Sequence, residues 1–142
     1  MAHAGHNDDL KPTGVTAFLF KHLIIDLHFR SFVPDIAVND ALDLTPWDIR
    51  GQAIPMPGHT PGSLVVLFDD GRAFVGDMMA GGYVGGALSS HRAGEHDFHA
   101  DRARNLENIK AVLKRPIKMF YLGHGGSVSR ESVDTAFATG RK

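Results

Sequence analysis

The chain has 142 residues, 43% of them hydrophobic and 8% aromatic, with 15 Lys and Arg against 16 Asp and Glu and a net charge of −1. This is the composition of one soluble globular domain over residues 1–142. A charge so close to zero gives no field to gather phosphates or anionic lipid, which excludes nucleic acid and membrane surfaces as main partners.

From the N-terminus, residues 1–9 are polar and acidic, so His3 and His6 are read as part of a mobile end. The apolar stretch 15–32 is broken by Lys21, His22, Asp26 and His28, too polar for a signal peptide or a membrane span, which points to the cytoplasm. It predicts a helix, with His22 and His28 as interior or boundary residues. Residues 36–38, 42–44 and 52–54 read as short strands between Asn39-Asp40, Pro46 and the Pro55 to Gly58 turn. Leu64 to Phe68 and Ala73 to Val75, joined by Asp69-Asp70-Gly71, carry the signature of a β-hairpin. Residues 80–97 are rich in Gly, Ser and His without an apolar period and read as a long loop. Leu106, Ile109, Val112 and Leu113 line one helical face, predicting a helix over 101–114 that Asp101 caps and Pro116 stops. Residues 117–122 follow as a strand, Gly123 to Gly126 as a turn, and a last helix runs from a Ser129 cap through Ala138, with Val133 and Phe137 inward. Strands followed by helix, strand and helix indicate an α/β fold with α+β layers.

Without cysteine, a metal centre in this chain must use His and carboxylate ligands. Three such side chains stand at strand ends in glycine-rich turns, where backbone is able to crowd a small ion. His59 lies in Pro57-Gly58-His59-Thr60-Pro61-Gly62-Ser63, Asp77 follows Gly76 after the hairpin, and His124 stands between Gly123 and Gly125. The segment with His91, Glu95, His96 and His99 is read as a solvated loop, since nothing periodic fixes its side chains. Tyr83 and Tyr121 are given packing roles, and Ser89-Ser90-His91 lacks the orienting carboxylate of a triad.

The PGHTPGS turn, the Gly-Asp after a hairpin and the late Gly-His-Gly, in that order, resemble the later metal motifs of the metallo-β-lactamase superfamily. Residues 34–44 also look like the strand pair that precedes the PGHTPGS turn there. The resemblance implies the second half of an αββα sandwich, with His59 a ligand of a first metal, Asp77 a bridging carboxylate and His124 a ligand of a second. The family's earlier His-x-His-x-Asp-His motif has no counterpart; His3, His6, Asp8 and Asp9 have a different spacing and no strand before them. What remains is two imidazoles and one carboxylate, the count of a mononuclear zinc site or of an iron facial triad, with manganese a third choice.

A half-fold leaves a sheet face uncovered, so the resemblance also implies a homodimer that rebuilds the sandwich, or a separate chain carrying the first half. Without its first metal motif the isolated chain is not expected to be a competent hydrolase. Two alternatives stand beside that reading. One is a metal-dependent hydrolase of a small-molecule substrate, with a mononuclear or dimer-shared site. The other is a non-catalytic dimerisation or interaction module, or a fragment that complements an N-terminal half.

Overall fold

The computed structural model describes residues 11–13, 18, 34–84 and 86–137. The histidines at 3, 6, 22 and 28, and the helix expected over 15–32 apart from Phe18, lie outside the described residues. Ten strands and two α-helices are described: β1 (Lys11–Pro12), β2 (Leu42–Asp43), β3 (Gly51–Pro55), β4 (Leu64–Phe68), β5 (Arg72–Gly76), β6 (Ala80–Tyr83), β7 (Leu88–Gly94), β8 (Phe98–His99), α1 (Arg102–Leu113), β9 (Met119–Leu122), β10 (Ser127–Ser129) and α2 (Arg130–Phe137). No helix among the described residues is long and apolar enough to cross a membrane.

A six-stranded sheet in the order β10-β9-β5-β4-β3-β2 is the centre of the fold. The predicted β4–β5 hairpin forms, with Val66 opposite Phe74 and Leu67 opposite Ala73. Its alternation sends Val65, Leu67, Ala73 and Val75 to the buried face, where they meet Phe120, Ile109, Val112 and Val133. The opposite face holds Leu64 and Phe74, both exposed, with the rings of Phe68, Phe74 and Tyr121 in contact.

Both predicted helix starts carry their caps. The Asp101 carboxylate accepts from the Arg104 amide at 3.0 Å, and the Ser129 hydroxyl oxygen accepts from the Ser132 amide at 3.2 Å. Arg130 Nη2 donates to the Leu113 carbonyl at 2.7 Å, so the start of α2 satisfies an otherwise unpaired carbonyl at the end of α1.

Two expectations are corrected. Residues 36–38 form no strand; Ile36 is exposed, and the triplet has no partner strand among the described residues. Within the expected loop 80–97, β6 and β7 pair antiparallel, Ala80 opposite Gly94 and Gly81 opposite Ala93. The strand at β6 is built on glycine because Gly81 lies flat on the His124 turn, donating its amide to the His124 carbonyl at 2.9 Å. A Cβ there would stand 3.1 Å from the Gly126 amide nitrogen. Glycine brings no side chain, so the apolar alternation that announces a strand is missing.

Candidate metal centre

The parallel pairing of β5 with β9 sets Gly76 opposite Leu122, which brings the residues that follow each strand side by side. Asp77 leaves β5 and His124 leaves β9, both at carboxyl ends of parallel strands, the usual place for ligand chemistry in such sheets. His124 Nδ1 donates to Asp77 Oδ1 at 2.6 Å. Gly123 must be glycine for this approach, because a Cβ at 123 would collide with the Asp77 carboxylate.

His59 comes from the turn after β3. The Thr60 amide donates to Ser63 Oγ at 3.0 Å, and the Met56 amide to the Ser63 carbonyl at 2.8 Å, closing the PGHTPGS loop on itself. His59 is buried, and its Nδ1–H donates to the Phe98 carbonyl at 2.7 Å. That bond fixes the tautomer with a lone pair on Nε2, which stands 3.8 Å from Asp77 Oδ2. A backbone partner on the far nitrogen is the usual support of a metal-ligating histidine.

The third donor overturns the solvated-loop reading of residues 91–99. His96 is largely buried, its ring 4.5 Å from that of His59 and 5.3 Å from that of His124, with Nε2 3.9 Å from Asp77 Oδ1. His59, Asp77 and His96 each offer a ligand atom within 4.8 Å of the other two. Two ligands on one tetrahedral zinc stand about 3.4 Å apart, so the observed separations need only small movements. His96 Nδ1 accepts from the Phe98 amide at 3.2 Å, which leaves the ring proton on Nε2. For Nε2 to become a ligand, that proton moves to Nδ1 and the 3.2 Å bond is given up.

His99, also read as loop, is fully buried behind the other two rings, 5.8 Å from His59 and 6.2 Å from His96. Among the described residues neither of its ring nitrogens has a hydrogen-bond partner within bonding distance and angle, although Nε2 lies 3.6 Å from Glu95 Oε1. Arg102 grips both oxygens of Glu95, occupying that carboxylate. His91 stays outside the centre, with Nδ1 2.9 Å from the Ser127 carbonyl. A buried polar side chain without partners costs stability, and an apolar one of similar shape relieves the cost. His99→Leu is therefore expected to raise the melting temperature of the metal-free protein by a few degrees, from about 1 kcal/mol of relief. A melt at or below that of the native chain would show that these nitrogens are bonded after all.

Burial is the main cause that lowers the basicity of all three inner imidazoles. For His59 the neighbouring Asp77 opposes it; for His96 the neighbouring His59 adds to it, and the group is pushed down to about 4; for His99 the His59 ring adds and Glu95 opposes. Near neutrality these rings are neutral, the protonation state a metal ligand requires. The sign for stability follows. The unfolded histidines take up protons below about 6.5 while the folded ones resist, so the folded state loses ground as pH falls through that value toward about 4. The melting temperature of metal-free protein is expected to drop between pH 7 and pH 5; a flat profile over that range would contradict the burial of neutral rings.

Two surface hollows, one along Gln52, Phe68 and Arg115 and the other along Ala41, Asp43 and Gly51, lie at the opposite ends of the strands from His59 and Asp77.

No protein-family model and no curated protein matches the chain. Among solved structures it is similar to an archaeal metallo-β-lactamase superfamily protein from Sulfolobus tokodaii, with a TM-score of 0.50 and 24% identity. The fold is metallo-β-lactamase-like. The likeness covers 77% of this chain and 41% of the archaeal one, so the chain spans about two fifths of the length of its structural relative. In this metallo-β-lactamase-like frame, of the residues singled out from their motifs, His59 and Asp77 stand in the three-residue group. His124 is joined to them through its hydrogen bond to Asp77.

Proposed function

We propose that this metallo-β-lactamase-like chain binds one divalent metal ion, zinc or else iron or manganese, and serves hydrolytic chemistry on a small molecule. His59, Asp77 and His96 are the ligands of this reading, and His124 orients Asp77. The observation that carries it is the convergence of the three donor atoms, with His59 already held in the ligating tautomer. A divalent ion there supplies Lewis acidity toward a carbonyl or phosphoryl oxygen and acidifies water. The chain's own residues do the rest. Asp77 brings the negative charge of the group, the Phe98 carbonyl holds the His59 ring, and the half-exposed His124 donates its Nδ1–H to Asp77 and so orients the carboxylate. The test is metal content per chain by elemental mass spectrometry, on protein purified without affinity metal, beside His59→Ala and His124→Ala. About one ion per chain or per dimer, lost in His59→Ala and reduced in His124→Ala, is the expected result. No metal, or metal indifferent to both changes, would leave a non-catalytic interaction module, or a fragment awaiting a first-half chain, as the better reading.

We further propose a cytoplasmic homodimer in which a second copy covers the sheet face of Leu64, Phe68, Phe74 and Tyr121. Support comes from the exposed Leu64 and Phe74 beside the half-buried Phe68 and Tyr121, and from the short span of the chain on its structural relative. Light scattering at micromolar concentration is expected to give twice the chain mass, and Phe74→Glu to shift it toward monomer. A monodisperse native monomer would overturn the dimer.

A further inference from the structure

His96 reaches the centre from backbone that belongs to no strand or helix, between the end of β7 and the start of β8. Its place therefore depends on how that strap is tied. On one side the strap is bonded to the His59 turn. The Phe98 carbonyl accepts from His59 Nδ1, the Ala100 amide donates to the His59 carbonyl at 2.9 Å, and the Asp101 amide to the Gly58 carbonyl at 2.8 Å.

On the other side β8 pairs antiparallel with β1, Lys11 opposite His99 and Pro12 opposite Phe98. Proline has no N–H to give to a ladder, and Thr13 supplies donors in its place. Its amide donates to the Asp97 carbonyl at 2.8 Å. Its hydroxyl lies 2.9 Å from the same oxygen and 3.3 Å from the His96 carbonyl, and its single proton is shared between them.

We infer that Thr13 is a positioning residue for the metal centre: through the carbonyls of His96 and Asp97 it holds the His96 imidazole against His59 and Asp77. This rests on the proposed centre. The residue lies 83 positions from His96 in sequence, and its bonds there go to backbone carbonyl oxygens of the strap. A ligand must be held within about 0.5 Å of its working geometry, and His96 has no helix or strand of its own to do so. Supporting contacts of this kind are worth about 10- to 100-fold in metal affinity.

The test is a cobalt(II) titration of the full chain, followed by its visible absorption, on the native protein, Thr13→Pro, His96→Ala and the double variant, with Thr13→Ser as the conservative rescue. Thr13→Pro removes both the amide donor and the hydroxyl. It is expected to weaken cobalt binding about tenfold or more and to change the ligand-field bands, while Thr13→Ser stays close to native. In the His96→Ala background Thr13→Pro is expected to cost nothing further, because the group it positions is gone. Melts of the metal-free variants follow the fold, and Thr13→Val, which removes only the hydroxyl, replaces Thr13→Pro in the cycle should the latter not fold.

Native affinity in the position-13 variant used, or an equal loss with and without His96, would overturn the role of Thr13 while the metal centre stands. A native chain that takes up no cobalt would overturn the centre, and the role of Thr13 with it.

Discussion

Asp77→Ala is expected to bring the metal content of the purified protein to background and to weaken cobalt affinity at least about 100-fold, beyond what loss of a supporting contact causes. Asp77 is the one carboxylate in a group whose other members, His59 and His96, are neutral near pH 7. Its two oxygens face different histidines, Oδ2 toward His59 and Oδ1 toward His96 and His124, so no other side chain among the described residues takes over its charge or its position. His124→Ala is expected to cost less, about 10- to 100-fold, because His124 acts on Asp77 through a hydrogen bond. Isothermal titration with zinc measures both. Native affinity in Asp77→Ala would place any bound metal elsewhere on the chain.

The second large effect concerns the fold beneath His59. Gly58→Ala is expected to destabilise the protein by about 1–3 kcal/mol, lowering the melting temperature by roughly 3–9 °C. A Cβ at 58 would stand 2.6 Å from Cα and 2.7 Å from the backbone nitrogen of Asn105, inside α1. The helix has little freedom to retreat. Asn105 Nδ2 donates to the Met78 carbonyl and Asn108 Nδ2 to the Pro57 carbonyl, both at 2.7 Å, and the Asp101 amide donates to Gly58 itself. Because the turn that must yield presents His59, metal affinity is expected to fall with the melting temperature. Differential scanning calorimetry with a parallel zinc titration checks this, and an unchanged melt would mean that the turn and helix part without cost.

These effects separate what local chemistry announces from what packing assembles. The β4–β5 hairpin, the Asp101 and Ser129 caps and the glycine-bracketed turns at His59, Asp77 and His124 are each written within a few neighbouring residues, by apolar alternation, a capping oxygen or glycine at a crowded turn. They are legible because their causes are short-range. Of His59, Asp77, His96 and His124, the first, second and fourth are visible in this way, as motif turns at strand ends.

His96 was not, and the reason is physical. Its segment has no apolar period, since Ser89, Ser90, His91 and Arg92 stand where a buried strand would alternate. The pairing that orders it draws on β6, whose glycines leave no pattern, and on a distant two-residue strand, β1. The nearest available signal was the density of His and Glu immediately before the Asp101 cap. Local sequence thus specifies this chain's hairpin, its helix starts and the turns that present His59, Asp77 and His124. Backbone pairing between residues 11–13 and 97–99 and the packing of α1 on Gly58 bring His96 to Asp77, because those contacts join residues tens of positions apart and leave no trace in any local pattern.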